Sequence, residues 1–193
     1  MSLLSTRTVK AGTDEAGRGP LAGPVVGSAV ILTDEQAKHL INSGLKDSKK
    51  LTEAAREKIF SIINDIGVIW RARSASHKRI DNMNILQASL WVMKESILAL
   101  PCEIDHVVID GNMVIPGLLI KQRSIVKADA LIPEVMAASI IAKVLRDRTM
   151  KRLDVIYPQY GFVKHKGYPT KAHRAAIAEY GPSPIHRLSF KLI

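Results

Sequence analysis

The run "RTVKAGTDEAGRGPLAGPVVGSAVIL", Arg7 to Leu32, decides the fold. Its first ten residues, 7–16, read as a strand. "GRGPLAG" (17–23) reads as a turn by its Gly/Pro punctuation, and "PVVGSAVIL" (24–32) as a returning strand, which makes a hairpin. Asp14 and Glu15 stand side by side at the inner end of the first strand. Successive side chains of a strand point to opposite faces, so a regular strand would separate them. The expectation is that the strand stops at the pair. Gly17 and Gly19, free of Cβ constraints, would then let Glu15 swing back beside Asp14.

Working outward, "LTEAAREKIFSIINDIG" (51–67) reads as a helix. Thr52 is its N-cap, apolar residues fall at 55, 59, 62, 63 and 66, and Gly67 ends it. "VIWRARSAS" (68–76) is a third strand with arginines on alternate positions. A helix follows over 82–99, then a buried strand "HVVIDG" (106–111) and a shorter strand "RSIVKAD" (123–129). A long helix enters at Pro133, "IPEVMAASIIAKVLRDRTMKRLD" (132–154), and a last short helix, "TKAHRAAIAEYG", covers 170–181. Antiparallel strands first, then strands alternating with helices, predict an α/β fold on a mixed sheet. At 193 residues the chain suits a single domain, 1–193, with a helical C-terminal extension from about 153.

Composition narrows the function. Hydrophobic residues at 47% and charged residues at 24% are those of a soluble globular protein. Asp110 and Lys143 interrupt the longest apolar runs, which excludes a membrane span there. "MSLLSTRTVKAG" lacks the apolar core of a signal peptide, so a cytoplasmic location is expected. The single cysteine, Cys102, excludes a disulfide framework and reads as a buried small hydrophobe. Lys and Arg number 28 against 18 Asp and Glu, a net charge of +10, which favours a polyanionic partner. The bases cluster at 46–50, 71–79, 143–152 and 164–174. Few aromatics lie among them, a pattern for tracking phosphates rather than stacking unpaired bases.

Two further acids stand where α/β proteins place their sites. Asp110 closes the strand "HVVID" and Asp129 closes "SIVKAD", both at C-terminal strand ends; either could equally be a capping or turn aspartate. With Asp14 and Glu15 they would bring four carboxylates to one edge of the sheet. Such crowding raises carboxyl pKa values, and a divalent cation relieves it. All-oxygen ligands suit Mg²⁺ or Mn²⁺, and a two-metal site hydrolyses phosphodiesters. "GTDEAGRG" also approaches a phosphate-binding loop. Arg18 and Gly19 replace its Lys and Ser/Thr, however, and acids inside the loop would repel phosphates.

"GTDEAGRGPLAGPVV", "LKDSKKLTEAARE", "VVIDGN", "KAD…AASIIAKVLRDR", "YGFVKHKGYPTKAH" and "GPSPIHRLSF" together resemble ribonuclease HII of bacterial type, in order from about residue 7 to residue 190. Ribonuclease HIII usually carries lysine where Arg18 stands. The resemblance implies a ribonuclease H-like fold, a five-stranded mixed sheet flanked by helices with a small helical C-terminal part. It implies cleavage of RNA in RNA–DNA hybrids and incision 5′ to a single ribonucleotide in duplex DNA, leaving 3′-hydroxyl and 5′-phosphate ends. Its partners would be these nucleic acids, with no membrane and a monomeric chain. By motif position the metal ligands would be Asp14, Glu15, Asp110 and Asp129. Gly17, Arg18 and Gly19 would contact the 2′-hydroxyl through their backbone, Tyr168 would pack on the following deoxyribose, and Ser48, Lys49 and Lys50 would lie near phosphates. The family commonly has glycine where this chain has Ala128. Two other readings compete: a hybrid nuclease without junction specificity, like ribonuclease HIII, and a non-catalytic nucleic-acid-binding protein. The intact "GRG" with Tyr168 opposes the first, and the retention of all four acids opposes the second.

Among the remaining candidates, Asp147 with bases at helical spacing reads as an ion-paired surface or groove acid rather than a ligand. Lys143 could touch DNA or support an active-site acid. His173 and His186 read as structural hydrogen-bonding groups, and Trp70 and Trp91 as core.

Overall fold

The computed structural model describes residues 8–193. The predicted start of the first strand at Arg7, and most of the N-terminal stretch read against a signal peptide, lie outside the described residues. In chain order the elements are β1 (Lys10–Ala16), β2 (Val25–Ile31), α1 (Asp34–Asn42), α2 (Glu53–Asp65) and β3 (Ile69–Ala75). There follow α3 (His77–Met83), α4 (Ile85–Leu98), β4 (His106–Asp110), β5 (Lys121–Ile125), α5 (Pro133–Ile156), α6 (Phe162–His165) and α7 (Lys171–Tyr180).

The five strands form one mixed sheet in the order β3-β2-β1-β4-β5. β1 pairs antiparallel with β2, as the hairpin reading predicts, and β2 antiparallel with β3. β1–β4 and β4–β5 are parallel, so the C-terminal ends of β1, β4 and β5 share one edge. Helix α5 crosses one face. Ala137, Ala138, Ile140, Ile141 and Val144 pack there with Val30 and with Ile59, Phe60 and Ile63 of α2. Helix α4 covers the other face, where Leu90, Met93 and Ile97 meet Ala11, Ala29, Val107 and Ile109. The approach of α5 is close: a Cβ on Gly12 would lie 2.5 Å from the Glu134 backbone carbon. Gly12 therefore lets α5 rest on β1 beside the acids.

Thr52 caps α2 as predicted, accepting the Ala55 N–H, and Pro133 opens α5. Three expectations are corrected, and helix α1 is an element not read from the sequence. The helix predicted over 82–99 is broken at Asn84, whose φ of 67° ends α3 and whose side chain caps α4 by accepting the Gln87 N–H. Helix α1 was hidden because "TDEQAKHLIN" is mostly polar; a capping box between Thr33 and Gln36 starts it. Strand β5 stops at Ile125, not at Asp129, because Lys127 takes a left-handed conformation and turns the chain into a short 3₁₀ turn, Ala128–Ala130. Cys102 is exposed, since it lies in the turn between α4 and β4 rather than on an element. No helix among the described residues is long and apolar enough to cross a membrane.

Candidate active site

The predicted failure of β1 at the acid pair does not occur. The β1–β2 ladder continues through Asp14↔Ser28 and Glu15↔Gly27 to Ala16↔Val26. The period-2 rule therefore holds at the pair. Asp14 lies on the α5 face with its partner Ser28, whose hydroxyl donates to the Ala138 carbonyl. Glu15 lies on the α4 face with Gly27, where a Cβ would touch Val92. The edge of the sheet, not a distortion of the strand, keeps the two carboxylates near each other.

Asp14, Asp110 and Asp129 come together: each offers a carboxylate oxygen within 4.8 Å of the others. Asp110 closes β4 on the same face as Asp14. Asp129 reaches the group from the 3₁₀ turn after β5, and its backbone N–H donates to Asp110 Oδ1 at 3.3 Å. Asp14 Oδ1 accepts the Glu15 N–H at 2.7 Å. Glu15 is not a member of this triad; it ion-pairs with Arg18 at 3.5 Å while remaining within electrostatic reach of Asp110.

Electrostatics set this group apart. Burial, reinforced by the Glu15 and Asp110 charges, pushes the Asp14 carboxyl well above its ordinary range. Burial also raises Glu15, with the Arg18 guanidinium pulling the other way, and raises Asp110. One cation answers the triad directly: Lys49 Nζ lies 2.8 Å from Asp129 Oδ2, and that contact holds the ammonium above its usual pKa. Three crowded carboxylates against one exposed lysine leave negative charge in excess. An all-oxygen donor set with that excess fits a hard divalent cation.

The site opens into a cleft of about 470 Å³. Asp14, Glu15, Asp110, Gly17, Arg18, Gly19, Ser48, Lys49 and Tyr168 all line it. Lys50 is exposed and lies outside that lining. Asp47 caps the 3₁₀ turn Ser48–Lys50 by accepting the Lys49 N–H, which aims Lys49 at Asp129. Ser48 is buried, its hydroxyl 2.9 Å from that of Ser139 on α5, a hydroxyl that partly offsets the upward push on the Asp14 carboxyl. Tyr168 is 41% exposed, and a Cβ on Gly19 would stand 3.5 Å from its ring. Gly17 has φ +107°, and a Cβ there would lie 2.2 Å from Arg146 Nε. No other residue type fits that position.

Asp147 is ion-paired as predicted, to Lys143 at 2.8 Å and Arg56 at 3.6 Å, but it is buried rather than a surface or groove acid. Lys143 lines the cleft and is paired to an acid behind it that is not one of the triad. Trp70 packs on the α2–α5 core, while half-buried Trp91 lies under the Arg79 guanidinium at 4.0 Å. Sequence reasoning missed Ser139, Arg146 and Arg187. Arg146 and Arg187 are completely buried and bond the carbonyls of residues 17–24. The available signal was an arginine in an otherwise apolar frame on α5, and a second just after the last helix.

Comparison with known proteins agrees with this geometry. The family model described as Ribonuclease HII matches residues 11–193. The chain is 50% identical over 180 residues to a Ribonuclease HII of Acinetobacter baylyi, covering 93% of each. The fold matches the crystal structure of ribonuclease H2 from Pyrococcus horikoshii with a TM-score of 0.79 and 31% identity, over 96% of this chain and 95% of that one. It also matches ribonuclease HII from the PCNA complex of Archaeoglobus fulgidus, with a TM-score of 0.77 and 31% identity over 93% and 92%. With an aspartate triad, two of its members buried, at the shared edge of its mixed sheet, this chain belongs to the ribonuclease HII family and is a type II ribonuclease H, a nuclease of the hydrolase class.

Proposed function

We propose that this protein is a divalent-cation-dependent endonuclease that hydrolyses RNA in RNA–DNA hybrids and incises 5′ to single ribonucleotides in duplex DNA. The observation that carries this reading is one cleft lined by Asp14 and Asp110 of the triad, by the Gly17–Arg18–Gly19 turn and by Tyr168. Asp14, Asp110 and Asp129 would hold a divalent cation, and Glu15, within electrostatic reach of Asp110, would complete the ligand set. Mg²⁺ or Mn²⁺, as two ions, would supply Lewis-acid chemistry there: activation of water and neutralisation of charge on the leaving oxygen.

The chain's own residues do the rest. Their carboxylates must be ionised to bind, and burial opposes this until the cation neutralises them. Backbone amides of the Gly17–Gly19 turn meet the 2′-hydroxyl, the group that distinguishes RNA from DNA. Tyr168 beside Gly19 packs on the next sugar and favours one without a 2′-oxygen. Lys49, Arg18 and the wider basic surface take the phosphates without regard to sequence, with affinity that falls steeply with salt. Water adds at phosphorus, the P–O3′ bond breaks, and the 3′-oxygen leaves with a proton, giving 3′-hydroxyl and 5′-phosphate ends. One catalytic unit, 1–193, with its helical part from about 153, acts as a monomer in the cytoplasm.

The test is cleavage, with Mg²⁺ or Mn²⁺, of a duplex bearing one ribonucleotide beside an all-DNA duplex. Incision 5′ to the ribonucleotide with the control intact is the expected result. No incision of the first, or equal cutting of both, would sink the reading.

A further inference from the structure

The recognition turn and Tyr168 are held by one short segment near the C-terminus. Arg187 is completely buried and faces four carbonyls. Its Nη2 donates to Gly17 O at 2.7 Å and Pro24 O at 3.1 Å, its Nη1 to Arg18 O at 3.0 Å, and its Nε to Gly23 O at 3.0 Å. The chain has no cis peptide among the described residues, so each carbonyl points opposite to the N–H that follows it. Turning the Gly17 and Arg18 carbonyls inward onto the guanidinium aims the Arg18 and Gly19 N–H groups away from it. Neither N–H has a partner among the described residues, and both residues line the cleft. Arg146 holds the far side of the same turn, donating to Pro24 O at 2.9 Å and Ala22 O at 3.2 Å.

The preceding residue reaches Tyr168. The Ser183 backbone N–H can only donate, so His186 Nδ1 accepts it, at 2.8 Å. A neutral His186 then carries its proton on Nε2 and donates to His173 Nε2 at 3.0 Å. His173 in turn has its proton on Nδ1 and donates to the Tyr168 carbonyl at 2.9 Å. Burial lowers both imidazoles, His186 to about 4, which keeps the relay neutral and its tautomers single. The segment is also laced to the turn by its backbone: Arg187 N–H donates to Leu21 O, and Gly23 N–H to Ile185 O, at 2.8 and 2.9 Å.

We infer that His186 and Arg187 are positioning residues that fix the 2′-hydroxyl-reading amides and Tyr168 relative to each other, and so set the preference for an isolated ribonucleotide. This rests on the function proposed above. Neither side chain touches the aspartate triad, so loosening them shifts specificity more than chemistry. A continuous RNA strand offers a 2′-hydroxyl at every step, and a slackened turn still finds one. A single ribonucleotide offers one register only.

The test compares kcat/KM on a duplex with one ribonucleotide and on a continuous RNA–DNA hybrid, at saturating Mg²⁺. Arg187→Lys keeps the charge, but one ammonium cannot span four carbonyls. The single-ribonucleotide value is expected to fall at least about tenfold further than the hybrid value. Parallel loss on both substrates would make Arg187 merely structural and overturn the proposal, as would an unchanged ratio. If circular dichroism shows Arg187→Lys unfolded, His186→Gln is read instead. It leaves the guanidinium contacts in place, and a ratio shift of about threefold is expected; an unchanged ratio there overturns the proposal. An unaltered protein that cuts the hybrid but not the single ribonucleotide would overturn the proposed junction activity and this inference with it. One that cuts both, with variants of unchanged ratio, overturns this inference alone.

Discussion

Two buried polar clusters lie within one fold and are built on opposite principles. Around Arg187 the guanidinium nitrogens meet four carbonyls and the two imidazoles bond to each other and to the Tyr168 carbonyl, with Arg146 Nη1 the one buried donor there left without a partner among the described residues. Around Asp14, Asp110 and Asp129, like charges crowd together and burial pushes carboxyls upward, with Lys49 the close cation. A satisfied buried network stiffens a scaffold. A buried cluster in excess of its counter-charge stores unfavourable electrostatics that only a ligand removes, and such imbalance marks a reacting site.

The sharpest way to break this contrast is Asp129→Asn. Loss of a triad carboxylate is expected to reduce cleavage by roughly 10³-fold or more, with duplex binding measured by fluorescence anisotropy largely retained. Persistent activity would remove Asp129 from the site. On the scaffold side, Gly17→Ala places a methyl on a backbone at φ +107°, against Arg146. A loss of about 2–4 kcal/mol in urea-induced unfolding is expected, and a change under about 0.5 kcal/mol would show that the turn yields freely. The smallest effect carries the opposite sign. Asp14→Asn removes a charge from the crowded group, so the metal-free protein should gain about 1 kcal/mol. Divalent cation should raise the melting temperature of the unaltered protein by mass action and that of the variant much less. Equal shifts in both would detach Asp14 from the cation.

These expectations divide according to how local their causes are. The β1–β2 hairpin, the capped helix α2 and the entry of α5 at Pro133 were legible because periodicity, caps and punctuation act within a few residues. The acids were legible as candidates because each stood at a predicted strand end. Their grouping was misjudged in two places. β1 does not break at Asp14–Glu15, since pairing with β2 on one side holds it extended to Ala16. Asp129 does not close a strand, since Lys127 in the left-handed region ends β5 early and swings Asp129 in on a turn. Both misreadings concern backbone geometry imposed by neighbours distant in sequence. Arg187 illustrates the same limit: "IHRLSF" shows an arginine after the last helix, but its four carbonyl partners lie more than 160 residues away.

By itself the sequence determined the alternation of elements, the basic surface, the four acids and the "GRG" turn with Tyr168, because composition and short-range pattern specify those. Only the tertiary structure decided that Asp14 and Glu15 occupy opposite faces, that three aspartates rather than four acids form the tight group, and that a C-terminal arginine holds the Gly17 and Arg18 carbonyls. Strand register and the burial of charge depend on which elements pack together, and that is a property of the whole chain.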